Sequence, residues 1–381
     1  MAYTKWTATW SSSPSIAPAR PARYAKDLTL RFIVRIQLDG DAVRIRLSNI
    51  AGKESVRIQE CCAALMAEGE TQNVDTLKQF TFGGSKECVI PAGAEILSDE
   101  MPFGIKRGDD LAVSLYMADM AELASGTDVT GPLSRFWFAE GNHAKEDELP
   151  IMHRMKHDTV FFLSEVDVRT SEKASAAVCF GDSITAQSWP DHLAVRGLRE
   201  GWENLSIIRR GVGGSRVLRQ YENLQHRSYG YRGQARFERE VAAAGVDRVF
   251  ILHGVNDIIH PDGINPLRPW SDLPTAEELI EGLFWYVKKG HEMGVKVYLA
   301  TIVTIVGWPS TTEHKEGIRR QVNAWIRTQT EADGYVDFDA AIRDPDHPEL
   351  RAPLYDSGDH LHPSLAGAQA MAESIPEAFL K

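Results

Sequence analysis

The segment AAVCFGDSITAQSW, residues 176–189, carries an apolar run into Gly-Asp-Ser and then into an amphipathic pattern. A serine at such a strand-to-helix turn has two readings. Asp182 or Ser183 caps the helix, or Ser183 is a nucleophile. A serine hydroxyl at neutral pH attacks poorly and needs a base within hydrogen-bond reach. His362 is the candidate base: it lies in DSGDHLHPS (356–364), with Asp359 three residues before it and Pro363 after it. An i, i+3 placement lets the carboxylate meet one ring nitrogen while the other faces Ser183, which would fix the tautomer and stabilise the imidazolium. Acyl transfer also needs donors for the oxyanion. Three can be named: the N–H of Ser183 at the predicted helix start, the N–H of Gly214 in GVGGSR (211–216), where a side chain would block approach, and the amide of Asn256 in GVNDI (254–258). Asp182, Asp257 and His253 stand beside these groups and are candidates for supporting them.

Other chemistries fit less well. GVGGSR lacks the full GxGxxG and has no acidic strand end about 20 residues on, so a dinucleotide site is not indicated. No Gly-Lys-Ser/Thr occurs, and His291-Glu292-Met293 lacks the second histidine of HExxH. Asp356, Asp359, His360 and His362 have the chemistry to bind a cation, but their serine, glycine and asparagine company points to acyl transfer without metal or cofactor. A net charge of −11, from 42 basic and 53 acidic residues, argues against a nucleic-acid partner.

These residues need elements to position them. Length favours two domains. The first ~170 residues read as β-rich. LTLRFIVRIQL alternates, with Leu28, Leu30, Phe32, Val34, Ile36 and Leu38 on one face; AVRIRLS and DLAVSLY repeat the pattern. Turns at Asp39-Gly40, Gly83-Gly84 and Pro91-Ala92-Gly93 separate them, which suggests an antiparallel, jelly-roll-like sandwich over 1–172 with its arginines facing water. Residues 125–150 read as a surface loop or a flap, and RTSEKAS as a linker. From residue 173 to 381 the period changes. AAVCF, LSIIRRG, DRVFILHG, KVYLATIV and YVDFDA alternate with helix-like segments near 188–200, 233–245, 275–293, 313–332 and 364–380. Five β–α units predict a parallel sheet with helices on both faces and a ligand crevice at the carboxyl ends of its strands. GDSIT, GVGGSR, GVNDI and DSGDHLHPS all follow such ends. Cys61, Cys62, Cys88 and Cys179 show no zinc spacing and read as reduced, mostly buried thiols, with a Cys61 or Cys62 bridge to Cys88 as the alternative. No run of about 18 apolar residues occurs, so no membrane span is expected. The N-terminal stretch has no apolar signal core, which suggests a cytoplasmic protein, or a secreted one if a leader has been removed.

The four blocks GDSIT, GVGGSR, GVNDI and Asp-x-x-His-Pro, in this order, resemble those of the SGNH (GDSL-type) hydrolases over residues ~176–381. The resemblance implies a three-layer, flavodoxin-like fold. It also implies Ser183 as nucleophile, Gly214 and Asn256 as oxyanion donors, Asp359 as orienting carboxylate and His362 as base. WTATWSSSP, RIRLSN and IPAGAEILSD are similar to a β-rich domain that precedes this fold in some members. Two departures stand out. Arg209 replaces the asparagine often found two residues before the first glycine of the second block, and His253 stands where relatives often have a carboxylate or small residue. His360, inside the last block, is expected to support the site or face solvent.

The reading is a serine esterase that acts through an acyl-enzyme on short-chain, chiefly acetyl, esters of a carbohydrate or small alcohol. A lipase or an acyltransferase using the same triad are alternatives. A non-catalytic carbohydrate-binding protein on a hydrolase scaffold is the reading from another class. Trp189, Trp270, Trp308 and Phe284 could line a pocket or fill cores.

Overall fold

The computed structural model describes residues 3–17, 23–67, 69–133, 135–150, 154–263 and 265–381, without the side chains of 154–157. The chain divides into two compact units. One comprises 1–176 with 197–208 and 243–245; the other comprises 177–196, 209–242 and 246–381.

The first unit carries two main antiparallel sheets. One runs in the order Tyr3–Ser11, Leu163–Ser171, Gly40–Ser48, Glu95–Leu97, with Met101–Ile105 also on Gly40–Ser48. The other has six strands and centres on Leu28–Arg35 and Asp110–Met117, which pair in unbroken register from Leu28↔Met117 to Arg35↔Asp110. Leu30, Phe32 and Val34 meet Val43, Ile45 and Leu47 in one core, as the alternation requires. The opposite face of Leu28–Arg35 is also covered. Arg31, expected to face water, is buried; its guanidinium donates to the carbonyls of His143 and Glu146, each at 2.8 Å, and to Ser114 Oγ at 3.0 Å. Five donors on a planar fork can satisfy a chain of carbonyls inside a protein. Residues 125–150 are not a single loop either. Ser125–Asp128 and Arg135–Glu140 are strands, and Phe136 and Phe138 alternate into the core opposite Phe32 and Leu30. The four cysteines are free and buried.

The second unit is built on a five-stranded sheet. In chain order its strands are Ser175–Gly181, Leu205–Gly211, Val246–Leu252, Lys296–Ala300 and Gly334–Val336; in space the order is second, first, third, fourth, fifth. This is the flavodoxin-like 2-1-3-4-5 arrangement of parallel strands. The strands read as near-continuous apolar runs because helices cover both faces. One group of helices is Gly233–Val241, Ala276–Glu292 and Glu313–Thr328. The other is Trp189–Glu200, Phe338–Ile342 and Leu365–Ser374, joined by Trp189 against Phe338 and by Arg196 donating to the Ala372 and Ile375 carbonyls. Thr275 and Glu278 form a capping box that starts Ala276–Glu292, and Leu279, Leu283, Tyr286 and Val287 line its buried face. The fifth strand is shorter than YVDFDA suggested: Asp337 accepts the Ala340 N–H and turns the chain into a helix at Phe338.

Gly181 ends the first strand where backbone and side chains close in. A Cβ there would overlap the Leu252 carbonyl and the Thr185 hydroxyl. Gly181→Ala must therefore push the first and third strands apart. The expected cost is about 1–3 kcal/mol, as for other overpacked sites, read as a Tm lower by several degrees in calorimetry; an unchanged Tm would contradict this packing.

Candidate functional site

Beyond Gly181, Asp182 caps a single helical turn, Ser183–Ala186, by accepting the Ile184 N–H on Oδ1 at 3.0 Å. The capping reading of the opening segment thus applies to Asp182. Asp182 is the cap, and Ser183 Oγ donates to His362 Nε2 at 2.9 Å. His362 Nδ1 in turn donates to Asp359 Oδ2 at 2.6 Å.

The Asp359–His362 pair is not made by a helical turn. His360 takes a left-handed φ of 63°, and Asp359 Oδ1 accepts the N–H groups of Leu361 (2.9 Å) and His362 (2.8 Å) and the Ser357 hydroxyl (2.9 Å). An aspartate closing its own turn in this way is an Asx-type arrangement. It leaves Oδ2 for the ring. Burial alone would raise the Asp359 pKa, but the hydrogen bonds from the His362 ring and from the two N–H groups outweigh it and hold the carboxyl well below its usual range. Asp359 therefore stays an anion beside the imidazole at every working pH. His360 is exposed and bonds back to Asp356 at 2.9 Å.

Gly214 sits in the turn after the second strand with φ 77°, and a Cβ there would run into the Tyr229 ring. Both facts exclude a side chain. A Cβ built at neighbouring Gly213 would lie 3.9 Å from the Ser183 Cβ, so this turn borders the serine. The Ser183 N–H opens its helical turn, where no intrahelical acceptor exists. Asn256 and Asp257 lie on the short helix Val255–Ile259 after the third strand, both buried, and grip the glycine loop at two points. Asn256 Nδ2 donates to the Ser215 carbonyl at 3.0 Å; Asp257 accepts the N–H groups of Val217 (2.7 Å) and Leu218 (3.1 Å). His253 lies within hydrogen-bond distance of Ser215 and Tyr286. Asp182, Ser183, Asp359 and His362 are thus linked along the chain and by hydrogen bonds, and His253, Asn256 and Asp257 converge on the glycine loop that borders Ser183.

Three further residues went unread in the sequence. Arg236, fully buried, donates to the carbonyls of Gly181 (2.5 Å) and Arg210 (3.1 Å) and to Ser215 Oγ (3.3 Å), pairs with Glu240, and lies over the Phe180 ring. It ties the ends of the first two strands to the glycine loop. Its i, i+4 spacing to Glu240 was the one available signal. Tyr286 and Ser215 gave none, because their partners are distant in the chain. Arg209, the departure beside the glycine block, is buried and paired with Asp191.

The Asp182 cap has an electrostatic cost. Burial pushes its carboxyl up to about 7, and Oδ2 has no hydrogen-bond partner among the described residues. Burial likewise raises Asp257 to about 6, against its N–H partners. A folded-state pKa above the unfolded value means that the protein binds more protons than the unfolded chain between them, so this contribution to stability is lost as pH rises from about 4 to about 7. Asp182→Asn keeps a capping oxygen and removes the charge. Its Tm relative to the parent protein should rise with pH over that window and level off near pH 8; a difference independent of pH would refute the buried-carboxyl account.

A family model of the GDSL-like lipases/acylhydrolases matches residues 179–370. No curated protein matches the chain. Among solved structures, a GDSL-like lipase from Bacteroides thetaiotaomicron is 17% identical, with TM-score 0.41, covering 55% of this chain and 90% of its own. Axe2, an acetylxylan esterase from Geobacillus stearothermophilus, is 19% identical, with TM-score 0.40, covering 54% of this chain and 94% of its own.

Proposed function

This chain belongs to the GDSL-like lipase/acylhydrolase family and is a carboxylic ester hydrolase; on that premise we propose that Ser183, His362 and Asp359 are its triad and that its substrates carry short acyl groups, chiefly acetyl, on a carbohydrate or small alcohol. The observation that carries the triad is the unbroken line of hydrogen bonds from Ser183 Oγ through both nitrogens of His362 to Asp359.

Ser183 Oγ attacks the ester carbonyl as its proton passes to His362 Nε2. The imidazolium formed is stabilised by the Asp359 anion on Nδ1. The carbonyl oxygen becomes an oxyanion held by the N–H groups of Ser183 and Gly214 and by the Asn256 amide, each donor worth roughly 100–1000-fold in rate. His362 then gives the proton to the leaving alcohol. Water enters, loses a proton to His362 and attacks the acyl-enzyme; the bond from the acyl carbon to Ser183 Oγ breaks, Oγ takes the proton back from His362, and the acid leaves.

The short acyl chain is favoured by crowding at the oxyanion turn. The Tyr229 ring covers Gly214 and stacks on His260 at 4.8 Å, with Tyr221 and His226 packed against it. A second reading, a longer acyl chain, is favoured by Leu354 and Leu365, which are 70% and 68% exposed a few residues from His362. Exposed leucines beside a reacting histidine could receive an aliphatic tail. Acetyl and octanoyl p-nitrophenyl esters separate the readings. The parent enzyme should show the larger kcat/KM on acetyl, and Ser183→Ala should lose about a thousand-fold or more on both with the fold intact. Activity within a few-fold after Ser183→Ala would remove the triad, and a preference for octanoyl would install the second reading.

A further inference from the structure

A buried line of two side chains and one backbone carbonyl ends on the proposed oxyanion donor and takes no direct part in the reaction. His253 Nε2 is 3.1 Å from the Ser215 carbonyl oxygen, and its Nδ1 is 3.0 Å from the Tyr286 hydroxyl. A carbonyl oxygen can only accept. Ser215 Oγ lies equally near, at 3.1 Å, and already accepts from Arg236; with the hydrogen on Nε2 both Ser215 oxygens accept from the ring, and Nδ1 is the acceptor of the Tyr286 O–H. The same Ser215 carbonyl accepts from Asn256 Nδ2 at 3.0 Å. His253 and Asn256 thus share one acceptor with two lone pairs. The place of that carbonyl sets where the first amide hydrogen of Asn256 points, and amide planarity fixes where the second points.

The surroundings keep this line in one state. His253 and Tyr286 are essentially inaccessible to solvent. The His253 ring is edge-on to Phe180 and parallel to Tyr286, and a Cβ at Gly233 would collide with both His253 and the Tyr286 hydroxyl. The charged groups that face His253 are the Arg236 guanidinium on Gly233–Val241 and, farther along the same network, the Asp182, Asp257 and Glu240 carboxyls around Tyr286. Burial first, then Arg236, lowers the His253 pKa to about 3. The ring is neutral, so it must choose a tautomer; the Ser215 carbonyl favours the hydrogen on Nε2, and the Tyr286 hydroxyl is the donor that Nδ1 then needs.

We propose that Tyr286 and His253 are positioning residues that act through the Ser215 carbonyl to orient the Asn256 amide toward the oxyanion. The inference rests on the reading of Asn256 as an oxyanion donor. Without the Tyr286 hydroxyl, Nδ1 has no partner and the ring is anchored at one end only; its Nε2–H can tilt off the Ser215 oxygen, and the carbonyl can swing away from the amide that it holds. An interaction expressed only in the transition state changes kcat rather than KM.

A double-mutant cycle on p-nitrophenyl acetate tests this. Tyr286→Phe should lower kcat by about 3–10-fold, the worth of one hydrogen bond, with KM unchanged. Asn256→Ala should lower it by about 100–1000-fold. In the Asn256→Ala background, Tyr286→Phe should cost nothing more, because its route to the oxyanion is gone. Equal losses in both backgrounds, no loss in either, or a rise in KM alone would overturn the positioning role while leaving the Asn256 reading standing. Near-full activity of Asn256→Ala would instead remove the oxyanion assignment on which the inference rests. If Tyr286→Phe does not fold, His253→Gln and His253→Leu read the same cycle. The glutamine keeps an N–H for the Ser215 carbonyl and should retain most of kcat. The leucine should not, and equal kcat for the two would overturn the proposal.

Discussion

The hydrogen bond between Ser183 Oγ and His362 Nε2 joins groups 179 residues apart in the chain. Nothing local makes it. It forms because two segments leave the carboxyl ends of their strands toward the same rim of one parallel sheet, as the doubly wound topology requires. Each partner is then held by its own turn. Ser183 is fixed by the Asp182 cap after a strand that ends in a glycine with no room for a side chain. His362 is fixed by an aspartate that spends one oxygen on closing the turn and the other on the ring. The distance is therefore set by backbone geometry on both sides, which is the form of preorganisation that acyl transfer needs.

The oxyanion side is held differently. Two of the three proposed donors, the Gly214 N–H and the Asn256 amide, lie on a glycine loop and a five-residue helix, neither of which would keep a fixed shape alone. Buried polar contacts bind them together: Asn256 and Asp257 on the loop backbone, Arg236 on the strand ends and Ser215, and His253 with Tyr286 behind them. Such a network is rigid only if its members are satisfied. The raised Asp182 carboxyl, with one oxygen unpartnered among the described residues, is one place where it is not, and stability is the cost at that point.

Much of this was legible in the sequence because it rests on local signals. Four of the five strands are largely buried and read as mainly apolar runs, with the bounds of LSIIRRG matched to the residue, and the helices read as amphipathic segments with caps such as Thr275. Ser183, Gly214, Asn256, Asp359 and His362 stood out because each follows a strand end with a residue type that suits acyl transfer. What stayed hidden depends on tertiary partners. Arg31 looked solvent-facing because alternation reports only which face it is on; the carbonyls of the 143–147 segment that cover it are more than 110 residues away. RFWFAE alternates as a strand should, yet the nearby Gly131-Pro132 and the charge run of 145–148 gave residues 125–150 the composition of a loop. Tyr286 reads as an ordinary core residue of a helix face, and its hydroxyl gains meaning only when His253 is placed beside it. The turn at Asp359 also differs from its sequence reading, since i, i+3 spacing is shared by helices and Asx turns and only the left-handed His360 tells them apart.

The central claim is that His362 activates Ser183 and no other hydroxyl. A fluorophosphonate probe reports this most directly, since it is attacked only by an activated nucleophile and leaves a stable adduct. Intact-protein and peptide mass spectrometry should find a single adduct, on the peptide that carries Ser183, with a labelling rate that collapses in His362→Ala. An adduct on another residue, or the same rate without the imidazole, would contradict the account.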